Sequence, residues 1–356
     1  MKALVLSGGG AHGAYEAGVA KALLRTQRYD VICGVSIGAI NGALISAGRT
    51  GDALEQFWCR ELPAKAGTLF PHLRRLRRVV RHLTSLGSGG AWEEAVRVAR
   101  AAGDLPFLTK LGQLHKSTLP LVAAALAEMV DFANVATPLL VGAANLTYAA
   151  AAVFRADPNS LVLPKRTARL IEYQDLTAEN FVMALLASAA MPGLFSPIEL
   201  AFDGKRSVYA DGSLVHASPL GIAVDNGATE VTVVFVDQEF DPRGATAAQN
   251  VAQQAYNIAT LWQQRLLEYE LRLAQATNEL VRLGGASGKR QISIRYVRSS
   301  VAIDADLLAF DDAPVLAALF ARGLADGAAG TREKLPDTQQ RPSKSFWTSL
   351  RRRFAP

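Results

Sequence analysis

The sequence predicts an α/β protein with a mostly parallel sheet and helices on both faces. Residues 3–6 form a short apolar run typical of a buried strand, and 14–25 carry apolar residues at helical spacing. A second apolar run, 29–33, precedes a helical pattern of small residues over 39–47. This alternation of strands and helices favours a parallel sheet, because each helix returns the chain to the edge where the next strand begins.

A pentapeptide between the second strand and the second helix carries the strongest chemical signal. Residues 34–38 read Gly-Val-Ser-Ile-Gly, with Ser36 at the centre and Gly34 and Gly38 beside it. A serine on a strained strand-to-helix turn exposes its hydroxyl at the helix N-terminus, and flanking glycines permit the turn. The helix dipole there favours negative charge. The pattern predicts a nucleophile elbow with Ser36 as the nucleophile.

A glycine-rich loop follows the first strand, where residues 8–13 read Gly-Gly-Gly-Ala-His-Gly. Backbone N–H groups without a neighbouring Cβ approach a ligand closely, and a serine hydrolase needs such donors for its oxyanion. The candidate donors are Gly8, Gly9, Gly10, Ala11 and Gly13. A phosphate cradle is the alternative, but the chain lacks the acidic residue about twenty positions later of a dinucleotide site and the Gly-Lys-Ser/Thr of a P-loop. A plain turn is the remaining alternative.

The general base is harder to assign, because the chain has only five histidines. Ser36, Asp211 and His216 have the chain order of an α/β-hydrolase triad, but the acid and the histidine stand too close in sequence to occupy separate loops. A Ser36–Asp211 dyad is the alternative. Asp211 and Gly212 follow an alternating stretch, and burial of the carboxylate would raise its pKa and make it a better base. A simple Asp-Gly turn is the third interpretation.

The rest of the chain divides by its pattern. Residues 52–132 are helix-rich and basic, and are interpreted as an insertion or lid-like region. Further strands are predicted at 139–142, 151–155, 231–237 and 291–297, and helices at 181–189 and 247–283. We predict one catalytic domain over 1–330, with the insertion at about 52–132, and a basic, poorly ordered tail over 331–356.

Basic residues cluster in two segments, and the net charge is +6. Apolar residues over 69–83 recur at helical spacing between five arginines, Arg74, Arg75, Arg77, Arg78 and Arg81. The tail combines Trp347 with arginines at 351–353. Both patterns are typical of contact with an anionic membrane surface. A solvated basic face and an inert tail are the alternatives. Nucleic acid is disfavoured, because no nucleic-acid motif accompanies the charge.

The sequence indicates a cytoplasmic location with peripheral contact to the membrane. The N-terminal apolar run is too short for a signal peptide, and no stretch reaches the ~18 apolar residues of a membrane span. Export without a classical signal is the alternative. Two cysteines, Cys33 and Cys59, do not form a disulfide framework. The sequence does not indicate the oligomeric state.

Three motifs together resemble the patatin-like phospholipase family. They are the loop 8–13, the pentapeptide 34–38 and the Asp-Gly-Ser at 211–213, in the family's order and approximate spacing. Residues 187–197 also resemble the family's Ala-Ser-x-Ala-x-Pro-x-x-Phe-x-Pro stretch. Two departures are His12, where the family often has Arg or Lys, and Ser213, where it usually has Gly or Ala. Neither departure removes a reacting group.

The resemblance implies a three-layer α/β/α fold and hydrolysis of acyl esters in phospholipids or other lipids. It implies that Ser36 is the nucleophile and Asp211 the base, and that loop amides, those of Gly9 and Gly10 first among them, bind the oxyanion. It implies no metal and no organic cofactor. A soluble esterase or thioesterase without membrane preference, and a non-catalytic lipid-binding protein on the same fold, are the alternative functions.

Overall fold

One mixed sheet of nine strands organises the described part of the chain. The computed structural model describes residues 1–69, 74, 119–157, 171–191, 195–215, 219–238, 269–284, 288–299, 301, 303 and 305–333. The strands are β1 (Lys2–Leu6), β2 (Val31–Val35), β3 (Leu139–Asn145), β4 (Ala150–Ala156), β5 (Ile171–Asp175), β6 (Ile198–Phe202), β7 (Lys205–Asp211), β8 (Glu230–Gln238) and β9 (Ser293–Ser299). Their order is β5-β4-β3-β2-β1-β8-β9, with β7 beside one end of β3 and β6 beside β7.

The middle of the sheet is parallel. Strands β3, β2, β1, β8 and β9 run in one direction, whereas β4 is antiparallel to β3 and β5 is parallel to β4. The predicted α/β class with a mostly parallel sheet is therefore confirmed. The carboxyl ends of the five parallel strands meet at one edge, which is where open α/β sheets bind ligands.

Helices cover the sheet and connect its strands. Helix α1 spans Gly13–Leu24 and α2 spans Ile37–Ser46. The further helical segments are Asp52–Gln56, a π-helical turn at Phe57–Glu61, Leu62–Leu69, Phe181–Ser188, Leu220–Asp225 and Ala313–Ala329, together with residues 119–127 and 269–282. Short 3-10 turns lie at Gly10–His12, Phe132–Asn134 and Gly212–Leu214.

Alternate side chains of the central strands face two separate cores, as the two-residue period of a strand requires. Leu4 and Leu6 of β1 pack with α1, α2 and the Ala313–Ala329 helix on one face. Ala3 and Val5 point to the other face, where the Leu220–Asp225 helix packs. The helices therefore form a layer on each side of the sheet, the three-layer arrangement that the resemblance implied.

The described parts of the predicted insertion are helical, over 52–69 and 119–127. Of the predicted basic helix over 69–83, only Leu69 and Arg74 lie within the described residues. The predicted helix over 247–283 is helical over 269–282, and its earlier part lies outside them. Among the described residues, no helix is both long and apolar enough to span a bilayer.

Some elements were not expected from the sequence. Strands β5 and β6 and the Ala313–Ala329 helix were missed, although all three are integral to the sheet or to its helical layer. At the start of the predicted tail, the backbone of Arg332 forms an antiparallel bridge with Tyr296 of β9.

Candidate active site

Ser36 lies on the turn between β2 and α2, with φ 56° and ψ −130°. Side chains rarely occupy this region, and holding one there costs about 1–3 kcal/mol. The two flanking glycines, Gly34 and Gly38, let the backbone of the turn lie close to neighbouring backbone atoms. A Cβ on Gly34 would collide with the backbone of Gly38, and one on Gly38 would collide with the carbonyl of Leu6. The serine is 5% exposed, so its hydroxyl sits in a recess below the surface.

Ser188 supports this turn from the Phe181–Ser188 helix. The backbone N–H of Ser36 donates a hydrogen bond of 2.9 Å to Ser188 Oγ. Ser188 Oγ in turn donates to the carbonyl of Gly142 on β3 at 2.7 Å. The buried hydroxyl therefore ties the strained residue to the neighbouring strand. Sequence reasoning gave Ser188 no role of its own, although it belongs to the stretch that resembles the family.

Strand β7 brings Asp211 to Ser36. The pairing of β2 with β3 ends at Gly142, and β7 pairs with the next residues of β3, so that Asp211 lies opposite Ala143. Strand β7 therefore occupies the row of the sheet that β2 leaves empty beyond its last residue. Ser36 Oγ donates a hydrogen bond of 2.7 Å to Asp211 Oδ2. The N–H of Ser213 donates to Asp211 Oδ1 at 2.8 Å.

The Asp211 carboxyl is fully buried. Burial raises the pKa of Asp211, and the hydrogen bonds from Ser36 and Ser213 partly oppose that rise. A carboxylate with a raised pKa accepts a proton more readily than an exposed one. Gly212 allows the chain to turn directly after Asp211, because a Cβ there would collide with the carbonyl of Gly142.

The glycine loop 8–13 adopts three successive left-handed conformations, with φ 79° at Gly8, 140° at Gly9 and 58° at Gly10. Three of its five candidate N–H donors already have acceptors. That of Gly8 points to Glu16 Oε1 at 3.4 Å, that of Ala11 donates to the carbonyl of Leu307 at 2.8 Å, and that of Gly13 closes the 3-10 turn.

The N–H groups of Gly9 and Gly10 have no acceptor among the described residues, and Gly10 lines the same cavity as Ser36. The set of available donors is therefore narrower than the set that the sequence suggested. Gly8, Ala11 and Gly13 shape the loop instead, because their N–H groups are used within the protein.

An apolar cavity of about 130 Å³ opens beside Ser36. Its wall is formed by the start of α2, residues 57–69, 119–129, 186–191 and 195–198, and the loop after β9. Apart from Ser36, the side chains that line it within the described ranges are apolar; they include Ile40, Phe57, Leu126, Met191, Phe195 and Phe310. Part of the predicted insertion therefore forms the wall of the cavity next to the serine.

A buried polar network lies beneath the glycine loop. Glu16 of α1 is completely buried, and its Oε2 accepts a hydrogen bond of 2.8 Å from Asn41 Nδ2 of α2. Asn41 Oδ1 accepts from Trp58 Nε1 at 2.8 Å. Burial raises the pKa of Glu16 to about 7, and its hydrogen bonds from Asn41 and from the N–H groups of Gly8 and Ser7 limit the rise. The sequence signal for this site is an acidic residue in a helix whose only other charged residue is Lys21, and it was overlooked.

The remaining candidates are distributed as follows. His216, the third member of the alternative triad, lies outside the described residues, as do Arg75, Arg77, Arg78, Arg81 and Trp347.

His12 Nε2 lies 2.8 Å from the carbonyl of Ala305. Arg74 is 78% exposed and pairs through Nε with Asp311 at 2.7 Å, next to Phe310 of the cavity wall. Within the described ranges, no cluster of three His, Cys, Asp or Glu residues could hold a metal ion.

Comparison with known proteins adds the family. Residues 4–224, more than half of the chain, match the family model described as Patatin-like phospholipase. No curated protein matches the sequence. Among solved structures, the chain is similar to VipD from Legionella pneumophila, with 15% identity and a TM-score of 0.39 over 93% of this chain and 67% of that one. The family match covers the elbow, the glycine loop and β7, and the chain therefore belongs to the patatin-like phospholipase family.

Proposed function

We propose that the protein is a lipid acyl hydrolase in which Ser36 and Asp211 form the catalytic dyad. Membership of the family supports lipid hydrolase activity. The observation that carries the dyad is the 2.7 Å hydrogen bond from Ser36 Oγ to Asp211 Oδ2, beside an apolar cavity. A serine hydroxyl is a weak nucleophile, and a base within hydrogen-bond distance activates it.

The reaction takes place in two stages. Ser36 Oγ attacks the ester carbonyl while its proton passes to Asp211 Oδ2, and a tetrahedral oxyanion forms. The intermediate collapses when the C–O bond to the alcohol breaks, and the alcohol leaves with the proton from Asp211. Water then attacks the acyl-enzyme, gives its proton to Asp211, and releases the fatty acid as Ser36 regains a proton. Asp211 is suited to both transfers because burial raises its pKa.

Gly9 and Gly10 are the proposed oxyanion donors. Their N–H groups are the free donors of the glycine loop within the described residues, and Gly10 shares the cavity with Ser36. The N-terminus of α2, which begins at Ile37, adds the positive end of a helix dipole beside Ser36. Such preorganised donors are a major source of rate enhancement in acyl transfer, at roughly two to three orders of magnitude for each donor.

The substrate is an ester with a long apolar acyl chain. The described residues of the cavity wall offer no charged side chain, and burial of hydrocarbon contributes roughly 0.8 kcal/mol for each CH₂ group. An acyl chain seated against Leu126 and Phe195 would place its carbonyl near Ser36. The polar head group of a phospholipid or other lipid ester would then remain toward the solvent.

Contact with a membrane surface is part of this proposal. Leu146 directly follows β3 and Val301 follows β9, so both lie at the carboxyl edge of the sheet, as Ser36 does. Each is about half exposed, and Tyr148 is 62% exposed. Exposed apolar side chains at the same edge as the catalytic serine favour docking on lipid, and the run of arginines in the sequence from Arg74 to Arg81 favours anionic head groups.

A serine-reactive fluorophosphonate probe tests the nucleophile. We expect the wild type to be labelled and Ser36→Ala to be spared, and equal labelling of both would overturn the assignment. Ester turnover with and without anionic vesicles then separates the alternatives. Turnover that vesicles do not enhance supports a soluble esterase or thioesterase. Lipid binding without turnover of short- or long-chain esters supports a non-catalytic lipid-binding protein.

A further inference from the structure

The network of Glu16, Asn41 and Trp58 joins four parts of the catalytic side of the fold. Glu16 is on α1, Asn41 is on α2 directly behind the elbow, and Trp58 belongs to the π-helical turn at Phe57–Glu61. All three side chains are completely buried. The fourth part is the glycine loop, whose Gly8 N–H points to Glu16 Oε1 at 3.4 Å.

The direction of each hydrogen bond in this network is fixed, because one of its groups can only donate. The indole N–H of Trp58 can only donate, so the atom of Asn41 that it contacts at 2.8 Å must be Oδ1. Asn41 Nδ2 then donates to Glu16 Oε2 at 2.8 Å and to the carbonyl of Gly13 at 3.0 Å. Consequently the groups that face the Glu16 carboxyl within the described part of the chain are all donors: the amide of Asn41 and the backbone N–H groups of Ser7 and Gly8.

Glu16 therefore holds Gly8, the first residue of the glycine loop, and a second contact holds the same loop at Ala11. The Ala11 N–H donates to Leu307 at 2.8 Å. Between these two contacts lie Gly9 and Gly10, in left-handed conformations and without internal acceptors among the described residues. Three successive glycines with positive φ have little conformational preference of their own, so contacts at the two ends decide where their N–H groups point.

We propose that Glu16 is a positioning residue that aligns the Gly9 and Gly10 N–H groups on the oxyanion, through its carboxylate contact with Gly8. This inference rests on the proposed function, since it assigns a role within the same acyl-transfer site. Glu16 does not line the cavity that contains Ser36, and it acts through the loop backbone. A transition-state role of this kind alters kcat and leaves ground-state binding in the cavity unchanged.

Glu16→Gln is the test, because it keeps the shape and replaces one acceptor with a donor. The Gln oxygen can face Asn41 or Gly8 but not both, so one N–H group then meets an NH₂. The matched control is Tyr15→Phe, which removes a partly buried hydrogen bond of 3.0 Å from α1 to Asp326, away from the loop. Measurements are kcat and KM for a short-chain ester, inhibition by a trifluoromethyl ketone that forms a tetrahedral adduct with serine, binding of a free fatty acid, and the melting temperature.

We expect Glu16→Gln to lower kcat roughly 10- to 100-fold with KM changed less than about threefold, a smaller loss than full removal of an oxyanion donor. The ketone should bind more weakly by a similar factor, while fatty-acid affinity is retained in a variant whose melting transition shows that it is folded. Tyr15→Phe should keep kcat within about twofold. A Glu16→Gln kcat within twofold of the wild type overturns the proposal, and so does a loss matched by weaker fatty-acid binding. A wild type whose turnover does not depend on Ser36 refutes the proposed function itself.

Trp58→Phe tests the same chain of contacts from its other end, and decides the question if Glu16→Gln does not fold. It removes the donor that orients Asn41, while Trp58 lines no part of the cavity. We expect kcat to fall several-fold with fatty-acid binding retained. An unchanged kcat in a folded Trp58→Phe protein contradicts the proposal.

Discussion

At the scale of single residues, the strained conformation of Ser36 depends on a hydroxyl from a different helix. The N–H of Ser36 has Ser188 Oγ as its acceptor, and the same hydroxyl satisfies the carbonyl of Gly142. A buried donor and a buried acceptor are therefore satisfied by one side chain. Such a group is costly to remove, because a buried polar group left unpaired costs about 1–3 kcal/mol.

Ser188→Ala should lower both the free energy of unfolding and the ester turnover. We expect a loss of about 1–3 kcal/mol, because the Ser36 N–H loses its acceptor, and slower catalysis because the turn relaxes. Ser46→Ala is the control, since Ser46 Oγ is buried without a hydrogen-bond partner among the described residues. It should change stability by less than about 0.5 kcal/mol. The free energy of unfolding in urea and the initial rate of ester turnover are measured for both variants. Equal values for Ser188→Ala and Ser46→Ala contradict the role of Ser188.

The pKa of Glu16 predicts a pH-dependent difference in stability. Burial raises this pKa from 4.5 to about 7, so between these values the native state holds a proton that the unfolded chain has lost. Stability therefore falls as pH rises through this window and levels off above about 7. Relative to the wild type, Glu16→Gln should gain stability from pH 5 to 7.5, by about 3 kcal/mol at most. A stability difference that stays constant over this range in urea titrations rules out the perturbed pKa.

The sequence allowed some of these residues to be identified and not others. Ser36 stands in a recognisable pentapeptide, and the glycine loop is distinctive in composition. Ser188 and Glu16 act through contacts with residues 152 positions and 25 positions away, and no local pattern records such a contact. The occupied N–H of Ala11 could not be foreseen either, because its acceptor, Leu307, belongs to a distant loop.

At the scale of elements, α1 and the Ala313–Ala329 helix pack with their backbones in close contact. A Cβ on Gly323 would collide with the carbonyl of Tyr15, and one on Gly18 would collide with the carbonyl of Phe320. The two helices therefore approach each other closely because each contributes a glycine to the contact. This close approach covers α1, whose residues are buried over nearly their whole length.

Gly323→Ala should separate these helices and destabilise the protein by about 1–3 kcal/mol or more, as overpacking does. Gly67→Ala is the matched control, because Gly67 lies in the Leu62–Leu69 helix with open space where its Cβ would be. That change should stabilise by about 0.5–1 kcal/mol, since alanine loses less entropy in a helix. Chemical denaturation gives the free energy of unfolding of each variant. A Gly323→Ala variant as stable as Gly67→Ala contradicts the close packing of α1 on the Ala313–Ala329 helix.

The elements that were missed had different sequence signals. The Ala313–Ala329 helix has both an N-cap, Asp312, which accepts from the Val315 N–H, and a proline in its first turn. These signals made it predictable. Strand β6 also alternates between buried and exposed residues. Strand β5 reads Ile-Glu-Tyr-Gln-Asp, so apolar and polar residues alternate there too, but the strand is short and only partly buried at the sheet edge, where it pairs with β4.

At the scale of the whole molecule, the proposed dyad is a product of sheet topology. Ser36 and Asp211 are 175 residues apart, and they meet because β7 joins β3 where β2 ends. The motifs indicated which residues could react, whereas the strand order that unites them depends on pairings far apart in sequence. The sheet also extends past the family match at 4–224, through β8 and β9.

The predicted domain boundary near residue 330 can be tested by truncation. A chain ending at 333 keeps the bridge between Arg332 and Tyr296, and its melting temperature should lie within about 2 °C of the full chain. A chain ending at 312 loses the Ala313–Ala329 helix and exposes the apolar face of α1, so it should fail to fold. Thermal melts and size-exclusion chromatography report both outcomes, and a chain ending at 312 that melts like the full chain contradicts the proposed domain.

The dyad itself is tested most directly by lipid turnover. Wild type, Ser36→Ala, Asp211→Asn and the control Ser46→Ala are incubated with phospholipid vesicles, and released fatty acids and lysolipids are measured by mass spectrometry. We predict equal release by the wild type and Ser46→Ala, and a loss of at least roughly 10³-fold in both dyad variants, because each removes a group required for acyl-enzyme formation. Fatty-acid release by Ser36→Ala at the rate of Ser46→Ala would contradict the account.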